Sequence, residues 1–111
     1  MNLLVVTNQY PSKEDYYRNA FIHTRNKEYI RMGKKLSVFV LKKESKSLYN
    51  YEYEGVQVTE GNALELESLL KKHQGLRDIV LVHFIDVDMM RVINKFLDKL
   101  KVIVFIHAMR P

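Results

Sequence analysis

The sequence predicts a three-layer α/β domain with a mostly parallel, twisted sheet and a β-hairpin at its edge. Three observations lead there. Short runs rich in Val, Ile and Leu alternate with longer segments of helical spacing, which is the pattern of βαβ units around a parallel sheet. Residues 79–82 and 102–106 are apolar without alternation, as strands covered on both faces are. Near residues 48–59 the pattern changes to strict period two around a turn. With 111 residues, 47% of them hydrophobic, the chain 1–111 holds material for one core and not two.

Residues 2–7 form the first strand, and a loop over residues 8–15 leads into a helix from residue 16 or 17 to 32. Gly33 stops that helix, since glycine suits the left-handed backbone that follows a helix end. In residues 36–41, Leu36, Val38 and Val40 alternate with Phe39 and Leu41, so both faces are apolar and the strand is central. Tyr49, Tyr51 and Tyr53 then alternate with Asn50, Glu52 and Glu54, and Gly55 precedes Val56-Gln57-Val58. That is an edge hairpin, and its tyrosines fit a half-buried surface better than a sugar-stacking platform.

Asn62 followed by Glu65 spells a capping box, and Ala63, Leu66, Leu69, Leu70 and His73 share one helical face before Gly75. His73 falls in the last turn, where the helix end favours an imidazolium. Residues 79–83 are the next buried strand. Asp86 or Asp88 caps a helix in which Met89, Val92, Ile93, Phe96, Leu97 and Leu100 recur at helical spacing. Residues 102–106 close the sheet as a buried strand. Right-handed crossovers place the first strand between the second and the later ones, with helices on both faces, a Rossmann-like arrangement whose switch point lies beside the first strand.

The net charge is +5 and uneven: residues 13–47 carry ten Lys or Arg against four acids. A solvated helix face and a charged loop account for this, and attraction to phosphates or an anionic membrane surface is the sharper reading. Nucleic acid is the weakest candidate, because no binding motif accompanies the charge. The absence of cysteine excludes disulfides and thiolate metal sites. The apolar runs are far shorter than a membrane span, and the amino-terminal residues lack the pattern of a signal peptide, so a cytoplasmic protein is expected.

Open α/β sheets bind ligands at the carboxyl ends of their strands. Three segments converge there: Thr7, Asn8, Gln9 and Tyr10 after the first strand, His83 and Phe84 after residues 79–82, and His107 after the last strand. His83 reads equally well as a loop anchor. His107 is the stronger candidate because it ends a strand flanking the switch point and is followed by small Ala108. No third ligand shares the spacing of the two histidines, so no metal is expected. His23 reads as a surface residue on the basic helix. The first loop has neither G-x-G-x-x-G nor G-x-x-x-x-G-K-[ST], so no complete nucleotide cradle is encoded.

Five segments in order carry a family likeness: Asn2-Leu3-Leu4-Val5-Val6-Thr7-Asn8-Gln9-Tyr10-Pro11-Ser12, the helix from Phe21 to Gly33, Tyr53-Glu54-Gly55-Val56-Gln57-Val58, Asp78-Ile79-Val80-Leu81-Val82-His83, and Val102-Ile103-Val104-Phe105-Ile106-His107. Together they resemble the amino-terminal, acceptor-side domain of GT-B glycosyltransferases of family 4. The resemblance implies two Rossmann-like domains facing across a cleft, with a nucleotide-sugar donor held mainly by the second. It implies a retaining sugar transfer without a metal or other cofactor. The Thr7–Tyr10 loop, His83 and Phe84 would then contact donor or acceptor, and His107 would hydrogen-bond the sugar as the catalytic residue. The acceptor would be a glycan or lipid-linked sugar in cell-surface polysaccharide synthesis, with the basic flank resting on the inner face of the membrane. The chain is then expected to be part of a longer enzyme and inactive without its carboxy-terminal domain. Two rivals share the sheet: a flavodoxin-like or receiver-like binding module, and a non-catalytic partner domain that uses Lys34, Lys35, Lys42 and Lys43. Thr7-Asn8-Gln9 offers neither a receiver's acidic pair nor a flavin binder's hydroxyl-rich loop.

Overall fold

The computed structural model describes residues 2–11, 20–44, 46–74 and 78–105. Its elements run β1 (Asn2–Thr7), α1 (Ala20–Arg31), β2 (Lys35–Leu41), β3 (Tyr49–Tyr53), β4 (Val56–Gly61), α2 (Ala63–His73), β5 (Ile79–His83), α3 (Val87–Asn94) and β6 (Lys101–Phe105). The six strands order as β3-β4-β2-β1-β5-β6, all parallel except the β3–β4 hairpin. The fold is thus α/β and Rossmann-like, with β1 flanked by β2 and β5 and the hairpin at one edge. The order places the switch point at β1, as the alternation of elements predicts.

Local chemistry explains each boundary. Glu54 and Gly55 both have positive φ, 47° and 85°, and join Tyr53 to its partner Val56 in a two-residue turn that matches strand twist. At the end of α1, Gly33 (φ 88°) donates to the Ile30 carbonyl and Lys34 to that of Tyr29, the paired bonds of a Schellman stop. Asn62 and Glu65 cap α2 reciprocally, each bond 3.0 Å long. Asp86, and not Asp88, caps α3 through Met89 N at 2.9 Å.

Period two along the strands makes two cores. Leu4, Val6, Phe39 and Val82 face α2 and α3, where Leu66, Leu70, Met89 and Ile93 cover them. Leu3, Val5, Val38 and Leu81 face α1, where Ile22 and Tyr10 cover them. At the amino edge, buried Asp78 accepts from Asn2 N at 3.1 Å and pairs with His73 Nδ1 at 2.6 Å. His73 therefore has a specific carboxylate partner in addition to its helix end.

Three expectations change. His23 is not a surface residue: it is only 4% exposed, because its ring is roofed by the hairpin turn. Leu97 is 55% exposed, because α3 ends at Asn94 and the following turns aim Phe96 and Leu100 inward instead. β6 is an edge strand in which Ile103 and Val104 are each 41% exposed, so its unbroken apolar run does not mark a strand covered on both faces. Gly75 and the start of the first helix before Ala20 lie outside the described residues.

Candidate functional site

The carboxyl edge beside β1 brings together most of the residues the sequence places there. The β1–β5 register ends at Val6↔Val82, and one step further puts Thr7 beside His83. Both alternate onto the α1 face, and both are buried. The Thr7 hydroxyl is 0% exposed with no hydrogen-bond partner among the described residues. His83 pairs across the ladder with Phe105, and the two rings stack at 4.5 Å with their planes 4° apart. Asn8 and Gln9 are half-buried at the same edge. His107 lies outside the described residues.

Phe84 has φ 55°, a conformation that is costly for a bulky side chain and held only where packing over-determines it. Its ring meets Phe21 edge-on at 5.9 Å. One helical turn further along α1, the Arg25 guanidinium carbon lies 5.0 Å from the Phe105 ring centroid, within cation–π range. Phe21 and Arg25 stand at i and i+4, so one flank of α1 faces the ends of β5 and β6. These three residues, Phe21, Arg25 and Phe105, were not among the sequence candidates. The signal was present in the helical spacing of 21 and 25, but which strand ends that flank would meet is not written in it.

Tyr10 is placed differently from its neighbours in the loop. Its side chain is buried in the α1-side core, and its hydroxyl is 2.5 Å from His23 Nδ1 and accepts from Asn26 Nδ2 at 3.2 Å. His23 Nε2 lies 2.8 Å from Glu54 Oε1, which Lys27 Nζ also approaches at 3.1 Å. The network fixes the tautomer. Glu54 can only accept when ionised, so Nε2 carries the hydrogen and Nδ1 accepts from Tyr10. Burial lowers the pKa of His23, with Glu54 pulling it back up and Lys27 pushing it down. The bond to His23, then that to Lys27, holds Glu54 below the ordinary carboxylate range. Burial raises the Tyr10 phenol, so this residue is a neutral anchor for the loop and not a base.

Elsewhere on this edge, Lys43 Nζ bonds Asp88 Oδ2 at 2.6 Å and links the exit of β2 to the first turn of α3. A groove of about 320 Å³ lies on the other face, lined by Leu48, Asn50, Thr59, Glu65, Ser68 and Lys72 among others, and none of the sequence candidates line it. Among the described residues no group of three His, Cys, Asp or Glu side chains could hold a metal ion. No helix there is long and apolar enough to cross a membrane.

What the edge offers chemically is a set of aromatic faces, a guanidinium held over one of them, and a buried Thr7–His83 floor. Aromatic faces take sugar or base rings, and a guanidinium takes oxyanions. The chain matches no family model, no curated protein and no solved structure.

Proposed function

We propose that this domain is the acceptor-side half of a GT-B glycosyltransferase, one wall of a cleft whose facing domain holds the nucleotide-sugar donor. The observation that carries the reading is the switch point itself: β1 lies between β2 and β5, and the loop residues Asn8 and Gln9, Phe84 and the stacked His83–Phe105 pair gather at its carboxyl edge. The five-segment likeness described above supports the same assignment. On this reading the enzyme retains anomeric configuration, needs no metal, and works in the cytoplasm at the inner face of the membrane on a glycan or lipid-linked acceptor. Asn8, Gln9 and Phe84 orient the acceptor, with Thr7 and His83 supporting them from below. Such positioning converts a bimolecular encounter into a near-attack arrangement.

Saturation-transfer NMR with mono- and disaccharide acceptors tests this directly. Sugar protons are expected to receive saturation from the 111-residue chain, and Phe84→Ala is expected to abolish the transfer, while no nucleotide sugar is consumed. A flavin that co-purifies, or phosphorylation of Asp86 or Asp88, would overturn the reading in favour of a flavodoxin-like or receiver-like module. Both aspartates already have structural work, Asp86 as the α3 cap and Asp88 as the partner of Lys43.

A further inference from the structure

We infer that the ligand of this edge carries a phosphoryl group and that Arg25 is the residue that reads it. The inference deepens the reading above by naming a charged group on the acceptor or donor, and it rests on the same edge being the binding site.

Arg25 differs from the other described cations of the α1 helix. Lys27 is bound to Glu54, and Arg31 is paired with Glu28. No carboxylate lies within ion-pair distance of Arg25 among the described residues; its observed contact is with the Phe105 ring. A guanidinium over a ring keeps its N–H donors free at the rim of its plane, in the fork geometry that matches two oxygens of a phosphate. The ring beneath it is itself fixed, because Phe105 stacks on buried His83. The head group is therefore pre-oriented, and less rotamer freedom remains to be lost on binding.

The surroundings favour an anion with a ring attached. Phe21 is 52% exposed and Phe84 is half-buried beside it, so an aromatic surface adjoins the guanidinium. A hexose phosphate or a nucleoside diphosphate would place its ring there and its oxygens on Arg25. Inorganic sulfate or a neutral sugar would satisfy only one half of the arrangement.

The test is a titration of the ¹⁵N-labelled 111-residue chain, read at the Arg25 side-chain Nε–H and the Phe84 and Phe105 amides. The probes are inorganic phosphate, glucose 1-phosphate and uridine diphosphate. All three resonances are expected to shift at millimolar phosphate, and at least one of the two organic phosphates is expected to bind ten-fold tighter than inorganic phosphate. Which one gains tells whether the group belongs to acceptor or donor. Arg25→Gln is expected to abolish the shifts while leaving the remaining spectrum in place, and Arg25→Lys to weaken binding about five- to ten-fold through loss of the two-pronged contact. Shifts that persist unchanged in Arg25→Gln, or no shift up to roughly tens of millimolar phosphate, would overturn the inference. Neutral sugars binding at Phe84 while phosphates do not would remove the phosphoryl group and keep the acceptor-domain reading. Phosphates binding through Arg25 while no sugar does would do the reverse.

Discussion

The two flanks of α1 differ in how far the fold closes over their polar groups. On the hairpin flank, His23 and Lys27 converge on Glu54, and His23 also holds Tyr10. On the other flank, Phe21 meets Phe84 edge-on and Arg25 lies over Phe105, at the ends of β5 and β6. Both pairs are spaced i, i+4, so the helix geometry is the same. The difference is closure: the first flank pairs its charged groups and His23 internally, whereas the second leaves an exposed guanidinium with no carboxylate partner among the described residues. Closed polar networks rigidify a fold, and an oriented but unpaired charge is what a binding edge needs.

Ile22 lies between the flanks and is fully buried in the α1-side core, so its removal is expected to break both at once. Ile22→Ala should cost about 2–5 kcal/mol, combining the lost burial with the cavity left behind. Urea unfolding measures this, and a loss below about 1 kcal/mol would mean that the sheet, not the helix, holds the flanks in place.

Tyr10→Phe should cost less, about 1–3 kcal/mol, because it leaves His23 Nδ1 and Asn26 Nδ2 buried without their shared partner. The comparison predicts that this loss stays on one side. Amide shifts around Glu54 and Tyr53 should change while Phe84 and Phe105 remain still; equal changes at both places would show that the flanks are one unit.

The architecture was largely legible because it follows from patterns that are local in sequence. The apolar alternation at residues 36–41, the Asn62–Glu65 box, Gly33 after α1 and Glu54-Gly55 in the hairpin each encode a boundary by nearest-neighbour physics. The candidate site was half legible. Topology carried Thr7 and His83 to one edge, since any strand end in a parallel sheet must arrive there. What escaped was set by pairing over long separations. His23 reads as polar surface until Glu54, 31 residues away, closes over it, and Tyr10 reads as a loop residue until Asn26 and His23 draw its hydroxyl inward. The helix stripe 22, 26, 29 and 30 contains buried Asn26, which masks the apolar period by which the buried face is normally found. The apolar run of β6 misled in the opposite sense, because composition records β propensity and not whether a neighbouring strand lies alongside.

Acid distinguishes the flanks further. Burial holds the folded His23 below its ordinary value of 6.5, so as pH falls past that value the unfolded chain takes up a proton the folded chain refuses. Stability is therefore complete above about 6.5 and declines below it, down through the folded-state value. Glu54 adds a loss of the same sign at lower pH, because its pKa is also depressed in the fold. Unfolding free energies at pH 7.5 and 5.5 should differ more for the native chain than for His23→Gln. An equal difference in both would assign the acid sensitivity to other groups. Once protonated, His23 can no longer accept from Tyr10, and only a turned amide would offer the phenol the buried Asn26 Oδ1, which has no partner among the described residues.

The smallest stability effect is expected on the open flank, at Phe105→Leu. The replacement keeps an apolar side chain next to His83 but removes the ring beneath Arg25, a contact worth about 0.5–1 kcal/mol at an exposed site. Urea unfolding should therefore move little. Arg25 itself should change more than the fold does: with no ring to fix its plane, its Nε–H resonance should lose dispersion and its relaxation should report faster motion. If that resonance is as ordered in Phe105→Leu as in the native chain, the guanidinium is held by something other than the ring, and the contrast between the two flanks loses its physical basis.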